Sequence, residues 1–318
     1  MTYFMIIIPA VVGFIAAVIL TAILIPVLKR QAGQNIREEG PEAHQAKAGT
    51  PSMGGAAIIV AAVIAFLTGW YFDSDGMVIM AGMILFGAIG FFDDWLKVIK
   101  KQNEGLKPWQ KFGLQFIFAV LIAVYVGLFS QHGTDVFVPF AKVTVDFGMW
   151  YIPFIVFTIL AMVNAVNLTD GLDGLASGTT AIVALYLLWL AYTVGAVSSA
   201  IAMAAIMGAC LGFLVFNRNP AKVFMGDTGS LALGGVITAA AIVMKMELLL
   251  PIVGIVYVLE VLSVCMQVTY FKATGGKRIF KMTPLHHHFE LSGMKETTVV
   301  IMFWGITFVF CILGFVIV

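Results

Sequence analysis

Asp93 and Asp94 stand side by side at the end of a long apolar run, with Lys97 three residues further on. Two carboxylates at the edge of hydrocarbon are costly unless they are paired or metal-bound. Adjacent Asp side chains offer the hard oxygen ligands that Mg²⁺ takes. The plainer alternative is a helix end whose charges simply reach water. A second set, Asn164, Asn167, Asp170 and Asp173, recurs in three-residue steps, which keeps side chains on one helical stripe. Gly171, Gly174 and Gly178 follow, and glycine lets backbone come close to a ligand. The alternative there is an Asx-rich turn capping the next helix, although four such groups exceed what a cap needs.

Three further segments carry polar chemistry. Asn217 to Ser230 leads into an apolar run and contains Phe224, Asp227, Thr228 and Ser230. Asp227 could cap the following helix, or the helix start with its hydroxyls could meet a phosphate. Phe224 could stack on a flat base, although a Phe at a membrane edge is commonly an interface anchor. His286, His287 and His288 are consecutive and are read as a loop, since three successive side chains cannot share one helical face. No cysteine lies in the polar segments to complete a zinc site, so phosphate contact is preferred. Lys47 and Lys111 are candidate phosphate contacts, each equally explained as a charge that fixes topology. Glu260, inside an apolar run, is set aside as a residue lining a helix break or bonded to a neighbour, and Gly208-x-x-x-Gly212 is weak evidence of close packing in a chain with 32 glycines.

What must position these groups is a membrane-embedded bundle. Of 318 residues, 61% are hydrophobic and 11% charged, far from the composition of a soluble domain. Ten apolar runs are long enough to span a bilayer, near 4–28, 53–71, 77–96, 112–130, 150–168, 176–194, 197–216, 228–246, 248–271 and 297–317. They lack two-residue alternation, which excludes a closed barrel. The first run has no basic leader and is read as a span that stays. Cys210, Cys265 and Cys311 sit apart in apolar runs and read as small core hydrophobes.

Charge orients the bundle. The alternate connections 29–52, 97–111, 169–175, 217–227 and 272–296 hold sixteen of the 18 basic residues, leaving only Lys142 and Lys245 on the other side. Basic residues mark cytoplasmic loops. The expected fold is therefore all-α, one polytopic membrane domain over 1–318 with about ten transmembrane helices. Both termini are extracytoplasmic, and the active site lies at the cytoplasmic face, where every acidic and histidine motif falls.

These motifs, Asp-Asp-x-x-Lys, Asn-Leu-Thr-Asp-Gly-Leu-Asp-Gly-Leu, Val-Phe-Met-Gly-Asp-Thr-Gly-Ser and Pro-Leu-His-His-His-Phe-Glu, in this order along the whole chain, resemble the polyprenyl-phosphate N-acetylhexosamine-1-phosphate transferases. The Gly49-Thr-Pro-Ser-Met-Gly-Gly segment and the unbroken triple histidine favour the branch that takes UDP-N-acetylmuramoyl-pentapeptide over the N-acetylglucosamine branch. The resemblance implies a Mg²⁺-dependent transfer to undecaprenyl phosphate that yields lipid I and UMP for peptidoglycan synthesis. It implies a multi-pass protein of the bacterial plasma membrane, commonly a homodimer, with no nucleic-acid partner. It further implies Asp227 as a metal ligand, Asp93 as base or nucleophile and Asp94 in support. Asn167, Asp170 and Asp173 would hold nucleotide or metal, and Asn217 and Phe224 the uridine side. His286 and His287 would meet the sugar-peptide or diphosphate, and Lys47 and Lys111 would neutralise phosphate. The alternatives are the sibling transferase using UDP-N-acetylglucosamine and, from another class, a membrane transporter.

Overall fold

A computed structural model describes residues 3–31, 49–100 and 104–318. Besides the four-residue helical turn Leu250–Val253 and three short 3-10 or π segments, its helices are α1 (Phe4–Gln31), α2 (Gly55–Leu67), α3 (Ser74–Lys100), α4 (Pro108–Val124), α5 (Tyr151–Thr169), α6 (Leu175–Val194), α7 (Val197–Asn217), α8 (Gly226–Val243), α9 (Ile255–Ala273), the six-residue α10 (Leu285–Glu290) and α11 (Glu296–Ile317). Among the described residues, nine are long and apolar enough to cross a membrane, and α2 is a shorter apolar helix of 13 residues. The expectation of about ten apolar helices therefore stands, with one correction. The second run, expected over 53–71, forms a helix only about 20 Å long at 1.5 Å per residue. Met53 at φ 74° precedes it, and Thr68 ends it by donating its hydroxyl to the Ala65 carbonyl at 2.6 Å.

Two other expectations are corrected, those for the histidine segment and for Cys265, and a short element appears between α4 and α5. Strands β1 (Asp135–Val138) and β2 (Val143–Asp146) form an antiparallel hairpin there, in which Val136 alone of the paired residues is fully buried. The histidine segment is not a loop: α10 turns once and sends its three imidazoles in different directions. Of the cysteines, Cys210 and Cys311 are core, but Cys265 is exposed on α9.

The bundle is built around α8, in which every residue from Thr228 to Val243 is buried. Small residues make this possible. Gly82, Gly87 and Gly90 of α3 face Gly235, Ala232 and Asp227 of α8, and a Cβ on Gly90 would overlap the Asp227 carbonyl. On the other side Gly234 rests on Val163 of α5. Close approach of helix backbones is the usual route to packing in lipid, where apolar side chains gain little by meeting one another. The same device seats α7 against α1: Gly208 and Gly212 lie under the Ala10 and Phe14 carbonyls. The outer helices α1 and α11 keep Ile7, Val11, Ile15, Ile301, Phe308 and Val309 exposed, as a lipid-facing surface requires.

Helix alternation gathers the C-terminal ends of α3, α5 and α7 and the N-terminal ends of α4, α6 and α8 at one end of the bundle. Local chemistry fixes those ends. Pro108 opens α4 where its missing amide costs nothing. Gly174, at φ 80°, supplies the left-handed turn before α6, and Gly226, at φ 74°, the one that opens α8. The opposite end carries the hairpin, tied down by Lys245, whose ammonium donates to the Gly133 carbonyl at 2.7 Å, and by His132 against Asp75 at 2.8 Å.

Gly90→Val should force α3 from α8, destabilising the fold by at least the cost typical of overpacking, about 1–3 kcal/mol, and lowering the thermal midpoint in detergent. Gly113→Ala, where an added Cβ meets nothing within 4 Å, should leave it unchanged.

Candidate active site

Asp93 and Asp94 lie on the last turns of α3 and are both buried. Asp227 lies on the first turn of α8, facing them across the glycine contact. One oxygen from each of these three carboxylates falls within 4.8 Å of the others, a spacing that could hold a metal ion. Two ammonium groups enter the same space. Lys97 reaches Asp93 at 2.7 Å, Asp227 at 2.8 Å and Asp94 at 3.5 Å. Lys111, from the first turn of α4, reaches Asp227 at 2.9 Å and Asp93 at 4.0 Å. Three carboxylates therefore meet two cations, and the donor set remains anionic and hard, as a divalent cation requires.

Backbone and side-chain donors fix each acid. Asp94 accepts the amide and hydroxyl of Thr228 at 2.9 and 2.7 Å. Asp93 accepts the Leu106 amide at 2.8 Å. Asn167 donates to Asp227 at 2.8 Å and to Ser230 at 2.8 Å, which ties α5 to the start of α8. Asp170 ends α5. Loss of water raises its pKa to about 8, reinforced by the charges of Asp227, Asp94 and Asp173, against the Gly226 amide, which favours the ionised form.

The remaining expected residues lie around this centre. Asp173 is buried in a brace: its carboxylate accepts the Asn219 amide group at 3.1 Å and the Ala221 amide at 3.0 Å, and its own amide donates to Glu296 at 2.8 Å. Asn217 joins the two loops, accepting Gly174 N–H and Ser177 O–H at 3.1 Å each and donating to the Val223 carbonyl at 3.0 Å. Phe224 is half-buried, with its main chain bonded to Pro51 and Gly54. His287 faces Glu290 at 3.0 Å, and His286 is fully buried against Glu260 at 3.1 Å. Lys47 lies outside the described residues.

Two residues enter that the sequence reading left aside. Lys97 belongs to the Asp-Asp-x-x-Lys motif but is given no site role in the sequence reading, although its position three and four residues after the two acids places all three on one helical face. Glu260 was discounted, yet it is fully buried and bonded to one of the three histidines.

The chain matches the model of glycosyl transferase family 4 over residues 76–245, a span that includes Asp93, Asp94, Asn167 and Asp227. It is 51% identical to a phospho-N-acetylmuramoyl-pentapeptide-transferase of Alkaliphilus metalliredigens, over 96% of this chain and 95% of that protein. A protein of the same name from Clostridium perfringens is 48% identical, covering 96% of each chain. One from Listeria monocytogenes is 46% identical over 99% of this chain and 98% of its own.

A raised folded-state pKa stabilises below the unfolded value, and that stability is lost as pH climbs through the folded value, here about 8. In metal-free protein the thermal midpoint should therefore fall as pH rises from about 4 to about 8. Asp170→Asn, neutral throughout, should flatten that fall in a melt series.

Proposed function

The chain belongs to the phospho-N-acetylmuramoyl-pentapeptide-transferases of glycosyl transferase family 4, and on that footing we propose that it moves phospho-N-acetylmuramoyl-pentapeptide from its UDP donor to undecaprenyl phosphate. The products are lipid I and UMP, as peptidoglycan synthesis needs. The observation that carries the reading is the meeting of three carboxylates and two lysines at one end of an apolar bundle. An anionic lipid headgroup at the membrane edge and a nucleotide sugar from water can both reach such a place. The basic-residue bias supports a cytoplasmic position for that end, and the reading sets the five polar connections on the same side of one plasma-membrane unit. A homodimer is carried on resemblance alone.

An oxygen of the lipid phosphate forms a bond to the β-phosphorus, and the bond from that phosphorus to the bridging oxygen breaks. UMP leaves with the electron pair. Phosphoryl transfer asks for positioning and charge neutralisation more than for covalent chemistry by the protein. Asp227, with Asp93 and Asp94 beside it, would hold Mg²⁺, which when bound supplies charge neutralisation between anionic acceptor and anionic diphosphate. Lys97 and Lys111 already neutralise the acids and can turn to phosphate oxygens, and Lys47 is assigned the same task. Asn167, Asp170 and Asp173 line the nucleotide or metal side. Asn217 holds the loop that presents Phe224, and Phe224 stacks on uracil. His286 and His287 meet the diphosphate or sugar-peptide. Asp93 serves as base on the acceptor or as nucleophile in a two-step route. Rapid quench separates these, because only the second traps a phosphosugar-protein adduct.

Purified protein with undecaprenyl phosphate and Mg²⁺ should release UMP from UDP-N-acetylmuramoyl-pentapeptide and not from UDP-N-acetylglucosamine. Asp227→Asn should cut that rate by more than about 100-fold, beyond the loss typical of residues outside a metal's ligand shell. Mg²⁺ should also raise the thermal midpoint of the native protein, as any ligand of the folded state does, and fail to raise that of Asp227→Asn. UMP release from the second donor alone would overturn the donor assignment.

A further inference from the structure

Glu260 lies within α9 and has no exposed surface. An ionisable group at that depth is expensive unless it is partnered. Its partner comes from α10. The backbone amide of His286 donates to one carboxylate oxygen at 3.3 Å, and ring Nδ1 meets the other at 3.1 Å. Nδ1 and the carboxylate share one hydrogen. Both contacts hold one edge of the imidazole and fix the ring's rotation. The other edge is different. Nε2 is buried and has no hydrogen-bond partner among the described residues. It points at Gly171, where any Cβ would overlap the ring. Gly171 follows Asp170, the acid whose charge is felt from Asp227 and Asp94. A buried nitrogen without a partner is costly, and here it is aimed at the turn that borders the acidic cluster.

We propose that Glu260 is a positioning residue for the transfer: it grips Nδ1 and the amide of His286 so that Nε2 is presented past Gly171 to the reacting end of the donor. The proposal rests on the functional reading above. It gives a buried mid-helix acid a task at a distance from the acidic cluster, and it explains why residue 171 has no side chain. Carboxylate–imidazole pairs that set a tautomer and an orientation are a recurring device, and losing the outer partner typically costs 10–100-fold in activity.

The test is a double-mutant cycle on full-length protein in detergent, reading UMP release, with monodispersity and melting checked for each variant. Glu260→Gln keeps the shape and should lower kcat by about 10–100-fold with the donor KM nearly unchanged. Glu260→Asp should recover part of the loss. Added to His286→Ala, Glu260→Gln should cost nothing more. Gly171→Ala, which displaces the ring from the other side, should mimic Glu260→Gln. Independent, multiplying losses at the two sites, or full activity in Glu260→Gln, would overturn the proposal. A separate readout distinguishes this from failure of the parent reading. In ¹⁵N-histidine spectra the signal of an Nδ1-bonded ring should be present in native protein and lost in Glu260→Leu, which has no acceptor at that position. If native protein turns over neither donor, the functional reading fails, and an unchanged histidine signal in the variant would overturn the pairing as well.

Discussion

Three carboxylates whose oxygens lie within 4.8 Å of one another repel strongly, and the bundle is arranged so that they cannot separate. Asp93 and Asp94 are consecutive on α3, and Asp227 is held to them by helix packing that has no slack at Gly90. Lys97 and Lys111 offset most of the repulsion, since each ammonium bridges two or more acids and that of Lys97 sits among all three. The result is a preorganised cluster of three acids and two ammonium groups at one end of the bundle.

That cluster depends on packing far below it. Because α8 is buried along its length, its first turn is held by α3 on one side and by α5 on the other. Asn167 turns this packing into chemistry, since it bonds Asp227 and Ser230 at once. The loops that flank the cluster are braced by polar pairs. Asn217 spans two of them, and Asp173, Asn219 and Glu296 bind the second to the start of α11. These groups lie near the site without all pointing into it.

Much of this was legible in the sequence. Long apolar runs give helices in a bilayer because no other element satisfies its backbone there, so helix number and order followed closely. Asp93, Asp94, Asn167 and Asp227 were found because polar groups at apolar edges are costly. The hairpin over 135–146 was not found, since two four-residue strands carry little periodic signal. The histidine helix was missed because six residues can turn once without sharing a face. Glu260 and His286 are 26 residues apart, and only the fold brings them together. Lys97 was legible by spacing, but its charge had already been used to orient the chain.

The buried position of α8 bears on how the protein is made. It is the shortest of the nine long helices at 18 residues, and its mean hydropathy of 1.4 is shared only with α9 as the lowest among them. Taken alone it is, with α9, the least apolar of the nine candidates for insertion, with glycines and hydroxyls where lipid would prefer leucine. Synthesis proceeds from the N-terminus, so α3 and α5 are already in the bilayer when α8 emerges. Its entry into the membrane is then an act of docking onto finished neighbours, and the third carboxylate arrives last, completing the cluster in the same step that seats the helix.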